Sequence, residues 1–213
     1  RDSKISKKKC LMEGIENISL KDVEISNKLN FRIKLLGISE IVDGKLFERV
    51  HPCLVNKDSY IGNVNGVMNA VITEGEPVGE SVLQGEGAGP GPTSSALMSD
   101  LLSILRGNIK FPFGIPNIKR KSIKVFNYDN YINSLYLRFE VKDKPGVLAQ
   151  ITNRLALKNI SVERLIQIPN YKNKTASIVI ITHKSKELDA QHCINAISKS
   201  KNILKYPTLI RLL

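Results

Sequence analysis

Four glycines occupy every second position from Gly85 to Gly91, interleaved with Glu86, Ala88 and Pro90 and followed by Pro92-Thr93. Such a segment exposes backbone N–H groups that can meet an anion or the polar atoms of a cofactor, the more so where a helix starts directly behind it. It is not G-x-G-x-x-G, because Pro90, Gly91 and Pro92 follow Gly87-Ala88-Gly89. Nor is it G-x-x-x-x-G-K-[ST], because no lysine follows. Taken alone, the run suits a tight loop at least as well as a binding loop. The other reactive side chains are sparser. His51, His183 and His192 lack ligand spacing, so surface or internally satisfied imidazoles are expected and no metal site. Cys10, Cys53 and Cys193 are odd in number and far apart, which suits a reducing compartment better than a disulfide framework or zinc knuckle. Cys53 reads as a small buried residue, and Glu13, Glu16, Asp22 and Glu24 read as capping or solvated charges. No nucleophile, base and oxyanion site assemble from these residues, so the chain is not a complete enzyme by its residues alone.

The elements that would position the glycine run are α+β in character. Ser19 with Asp22 resembles a capping box for a helix over about Leu20 to Asn30. Phe31 to Val42 and Lys45 to Pro52 read as strands joined by Asp43-Gly44, a strong hairpin signal. Val67 to Thr73 and Val78 to Gln84 form a second pair around Gly75-Glu76-Pro77. The glycine run then feeds a helix from about Thr93 to Arg106, with Leu97, Leu101, Ile104 and Leu105 as its stripe and Gly107 as its stop. About four antiparallel strands with helices on one side are expected. Gly107, Pro112, Gly114 and Pro116 break all periodicity, and Asn127, Asp129, Asn130 and Asn133 follow. The expected division is therefore residues 1–112, a linker over 113–133, and a second domain over 134–213.

In the second domain Leu135, Leu137, Phe139 and Val141 alternate with Tyr136, Arg138 and Glu140, the pattern of a half-buried strand. Asp143-Lys144-Pro145-Gly146 turns into a helix carrying Val147, Leu148, Ile151 and Leu155. Ile160 to Ile168 alternates again, Ala176 to Thr182 suits a central strand, and Ala190, Cys193, Ile194 and Ile197 mark a second helix. Ile203 to Leu212 closes as a strand, and Pro207 argues that it is an edge. The order βαββαβ is the ferredoxin-like arrangement.

The chain has 213 residues, 42% hydrophobic and 24% charged, enough to bury a core unaided. No apolar run is long enough for a membrane span. The net charge of +12 rests on 23 lysines and nine arginines, mostly scattered, with no tryptophan. A lysine-decorated surface explains this better than nucleic-acid binding. An RNA-recognition reading of the ferredoxin-like half lacks stacking aromatics, since only Tyr136 stands on the first strand and none on the third. The chain starts at Arg1 without a signal-peptide pattern, and it reads as a piece of something longer.

Several spaced motifs then agree with one family. Asn30-Phe31-Arg32-Ile33-Lys34-Leu35-Leu36-Gly37-Ile38, Arg49-Val50-His51-Pro52, Val64-Asn65-Gly66-Val67-Met68-Asn69-Ala70-Val71 and Gly85 through Ala96 occur in the order of homoserine dehydrogenase, which the chain resembles over essentially its whole length. Lys142-Asp143-Lys144-Pro145-Gly146-Val147-Leu148-Ala149 resembles the turn of an ACT domain, an amino-acid-sensing ferredoxin-like module. The resemblance implies the later part of the substrate and dimerisation domain followed by an ACT domain, with NADP or NAD as cofactor. The implied reaction interconverts L-homoserine and L-aspartate 4-semialdehyde in threonine and methionine biosynthesis. Gly87, Ala88 and Gly89 match the segment that approaches the nicotinamide cofactor, although Glu86 stands where many members have proline. No catalytic residue falls in this chain; the family's Glu, two Asp and Lys are expected upstream of Arg1, and Lys4, Lys7, Lys8 and Lys9 do not fit that pattern. The ACT resemblance implies effector binding, threonine being the candidate, at Asp143, Pro145, Gly146 and Val147. A homodimer or higher homo-oligomer, a cytoplasmic location, and no nucleic-acid or membrane partner complete the expectation. The alternative is a stand-alone amino-acid-binding or dimerisation module without catalysis.

Overall fold

The computed structural model describes residues 10–108 and 123–213. The elements in order are β1 (Leu11–Met12), α1 (Leu20–Lys28), β2 (Phe31–Val42), β3 (Lys45–Asn56), β4 (Met68–Gly75), β5 (Gly79–Glu86), α2 (Pro90–Leu105), β6 (Ile132–Asn133), β7 (Leu135–Lys142), α3 (Val147–Ala156), β8 (Val162–Asn170), β9 (Thr175–Thr182), β10 (Ser185–Lys186), α4 (Glu187–Ser198) and β11 (Thr208–Leu212). They group into two compact units, residues 57–108 in one and residues 10–56 with 123–213 in the other.

The larger unit is built on a seven-stranded sheet in the order β1-β3-β11-β7-β9-β8, with β2 paired along the whole of β3. Within it, β7, α3, β8, β9, α4 and β11 form the expected ferredoxin-like arrangement, all its strand pairs being antiparallel. The hydrophobic period explains one layer. Leu135, Leu137, Phe139 and Val141 meet Ile151 and Leu155 of α3 and Ala190, Cys193, Ile194 and Ile197 of α4.

The opposite face of β7 departs from expectation. It is not open to solvent: Tyr136 is fully buried and Arg138 is 8% exposed. Ile25 of α1 packs with Tyr136, Val179, Ile210 and Leu54 in a second core, making a three-layer α/β/α sandwich. Alternation in the sequence shows two faces of different polarity, and Arg138 and Glu140 mark the polar one. What it does not show is that this face is covered by a helix lying more than a hundred residues earlier.

The last strand is likewise not an edge. Thr208 to Arg211 pair with Arg138 to Leu135, while Arg211 and Leu212 stand in parallel register with Cys53 and Leu54. Ile203 makes only an isolated bridge to Val141, so the regular strand is shorter than expected and Pro207 lies just before it. A proline outside the ladder leaves both edges of β11 free to pair. The described part of the expected linker, residues 123–133, is packed as well. Phe126 N–H donates to the Leu46 carbonyl at 2.8 Å, and the Phe126 and Phe47 rings lie 5.2 Å apart.

The β2–β3 hairpin closes on Asp43 and Gly44 at φ 49° and 68°. Both residues are left-handed, as a type I′ turn requires. Instead of a four-stranded sheet, the second strand pair forms a two-stranded sheet of its own in the smaller unit, Met68 opposite Glu86 and Gly75 opposite Gly79. In that unit α2 begins at Pro90, earlier than expected, because proline suits the first turn of a helix, where its missing N–H costs nothing.

Candidate functional sites

The glycine-rich segment is the turn between β5 and α2. Gly87 N–H donates to the Val67 carbonyl at 3.0 Å, which closes the turn against the residue before β4. A Cβ on Gly87 would fall 1.5 Å from the Asn69 amide nitrogen. Gly89 is the N-cap of α2, at φ 119° and ψ 155°. A Cβ there would make only an ordinary 3.6 Å contact with Pro92. The backbone angle, not crowding, therefore demands glycine. Gly87, Ala88 and Gly89 are all exposed, and no side chain caps α2. The three residues thus offer an exposed, side-chain-poor backbone path at a helix N-terminus.

The residues expected to bind an effector line one cavity of about 420 Å³ at the β7–α3 turn: Asp143, Pro145, Gly146 and Val147, joined by Lys142 and Gln167. Asp143 N–H donates to the Lys174 carbonyl at 3.0 Å, and Gln167 Nε2 donates to Asp143 Oδ1 at 3.3 Å. Gly146 is the N-cap of α3 at φ 87°, and no side chain caps that helix either. The turn is thus braced from β8 and from the residue just before β9 while its helix N-terminus stays open.

Buried charge outside these two places is the feature the sequence did not signal. Arg138 Nε and Nη2 donate to Asp22 Oδ1 and Oδ2 at 2.5 and 2.8 Å, and Nη1 pairs with Glu140. Asp22 is fully buried, yet it also completes the capping box of α1, accepting from Ser19 N–H at 2.9 Å, and it accepts from Tyr136 at 3.1 Å. Burial acts to raise its pKa, but the hydrogen bonds from Arg138 and Ser19 outweigh it and hold the carboxyl below its usual range. Arg211 makes a second knot with Glu13 at 2.7 Å and Glu187 at 2.8 Å, and Tyr128 donates to Glu187. Asp22 is therefore the expected cap and a buried ion partner besides, and the partly exposed Glu13 is an ion partner rather than a solvated charge. The signal available was the run Thr175–Thr182, apolar on both faces, which implies covered faces on the neighbouring strands too.

His51 is neither a surface nor a fully satisfied histidine. It is 1% exposed, its Nδ1 lies 3.0 Å from the Pro52 carbonyl and 3.2 Å from Cys53 Sγ, and Nε2 has no partner among the described residues. Burial, reinforced by Arg211 and Arg49, lowers its pKa to about 4. Burial likewise pushes the Cys53 thiol up to about 11, so it stays a protonated, buried residue as expected. Among the described residues, no three His, Cys, Asp or Glu side chains group as a metal site, and no helix is long and apolar enough to cross a membrane.

The architecture defines an α+β protein in which a strand–glycine turn–helix unit accompanies an ACT-type ferredoxin-like module. Residues 135–201 match the ACT domain model and residues 2–102 match the homoserine dehydrogenase model. The chain is 36% identical over 209 residues to the homoserine dehydrogenase of Neisseria gonorrhoeae, covering 95% of this chain and 48% of that protein. It is 32% identical to the one from Synechocystis, covering 99% and 51%. A homoserine dehydrogenase structure from Thiobacillus denitrificans superposes with a TM-score of 0.83 at 31% identity, over 97% of this chain and 48% of that one. The chain belongs to the homoserine dehydrogenase family, as a stretch that carries the ACT domain and spans about half the length of the relatives it matches.

Proposed function

We propose that the protein containing this chain interconverts L-homoserine and L-aspartate 4-semialdehyde with NADP or NAD. In this reading residues 1–112 form the later part of the substrate and dimerisation domain, and 134–213 form the ACT domain. The observation that carries it is Gly89, which holds a glycine-only backbone angle at the exposed start of α2, within the segment matched to the family. The nicotinamide supplies hydride transfer when bound. Gly87, Ala88 and Gly89 present backbone to it, with no side chain in the way, and no catalytic residue is assigned within the chain. The protein works in the cytoplasm as a homodimer or larger homo-oligomer. Threonine binds at Asp143, Pro145, Gly146 and Val147, its carboxylate at the uncapped start of α3. In the intact protein, Gly89→Val should lower the melting temperature through the strained angle, and in the protein that remains folded it should raise the KM for the nucleotide at least about tenfold, a loss of about 1.4 kcal/mol. An unchanged KM would remove the loop from the cofactor site. Calorimetry with threonine, and with Gly146→Leu as control, tests the effector site: no heat at millimolar ligand leaves the ACT module a dimerisation element only.

A further inference from the structure

A second cavity of about 580 Å³ lies in the larger unit, between the segment that enters α1 and the stretch that precedes β11. Most of the charge in its wall is already engaged. Arg138 is held by Asp22, Glu140, Ser19 and Thr208, Glu140 also by Lys21 and Ser177, and Glu13 by Arg211. Among the described residues, two charges in the wall are without an ion-pair partner, Glu16 and Lys205, one of each sign and both exposed. The Glu16 carboxylate lies over Gly14, where a Cβ would come within 2.2 Å of Oε2. Glycine at that position leaves room for it. Ile18, Ile194, Pro207 and Leu209 supply an apolar wall beside the two charges.

A cavity with one open anion, one open cation and an aliphatic wall is complementary to a zwitterion with an apolar tail. We propose that this cavity binds an α-amino acid with an aliphatic side chain. Its ammonium pairs with Glu16, its carboxylate pairs with Lys205, and its side chain lies on Ile18, Ile194 and Leu209. The site is separate from the β7–α3 turn and does not rest on the function proposed above.

The test is calorimetry on the intact protein carrying Gly146→Leu, which silences the turn cavity, with L-leucine as the probe. 3-Methylbutylamine and 4-methylpentanoate, each lacking one of the two charges, are the controls. Saturable binding of L-leucine is expected, weakened by up to about fivefold by Glu16→Gln, by Lys205→Gln and in each control compound, as the loss of one exposed ion pair implies. Both positions are exposed, so the melting temperature should stay constant. No saturable heat from L-leucine would overturn the proposal, as would binding that both substitutions leave unchanged. Binding seen only when Gly146 is restored would assign it to the turn and overturn the proposal as well.

Discussion

Acidification should unfold this protein through His51 before it reaches the carboxylates. The imidazole is buried, and burial, reinforced by the charges of Arg211 and Arg49, takes its pKa from the ordinary 6.5 to about 4. A lowered pKa means that the folded state resists a proton which the unfolded chain accepts. Stability is therefore complete above pH 6.5, declines as pH falls, and reaches its full loss below about pH 4. The gap between 6.5 and about 4 corresponds to about 3 kcal/mol in all, and about 2 kcal/mol of it is lost between pH 7 and pH 5. Asp22, Glu140 and Glu187 are held low by their cationic and hydroxyl partners against the effect of burial. Their contribution is lost only as pH falls below about 4.5, which leaves the window from 7 to 5 to the histidine. Urea unfolding of wild type and His51→Gln at pH 7, 6 and 5 reads the effect as a shift in midpoint. The difference in stability between the two proteins should shrink or reverse by about 2 kcal/mol across the window. Parallel curves for the two proteins would refute the reasoning.

Three other perturbations probe the scaffold. Arg138→Met leaves Asp22 charged and buried with its main partner gone, so it should cost about 3–5 kcal/mol in urea unfolding, and adding Asp22→Asn should recover part of that loss in a double-mutant cycle. Tyr136→Phe removes only the 3.1 Å bond to Asp22 and should cost about 1–2 kcal/mol by the same assay. Gly44→Ala forces an L side chain to φ 68° in the β2–β3 turn and should cost about 1–2 kcal/mol, whereas Gly91→Ala, with open space around its Cβ, should leave the melting temperature unchanged.

Local chemistry was legible where it is local. The capping box at Ser19 and Asp22, the Asp43-Gly44 hairpin, and the βαββαβ order each depend on residues a few positions apart, and each stands in the structure as the sequence suggests. The errors share one cause, contacts across long separations. Cys53 and Arg211 stand in register across β3 and β11, and nothing near either residue announces the other. Arg138 looked like an outward-facing charge because a strand's polar face reads the same whether water or a buried carboxylate completes it. Composition marked 113–133 as a linker, but Phe126, Tyr128 and Tyr131 around Phe47 were the better guide. Of the candidate sites, glycine spacing and the Pro145-Gly146 turn were visible, while the cavity between Glu16 and Lys205 joins segments that only the fold brings together.

The measurement that tests the central claim most directly is nucleotide reduction by the intact protein supplied with L-homoserine and NADP⁺ or NAD⁺. Homoserine-dependent formation of the reduced nucleotide with at least one of the two is predicted, with L-aspartate 4-semialdehyde as the product. A folded, intact protein that reduces neither nucleotide would contradict the account.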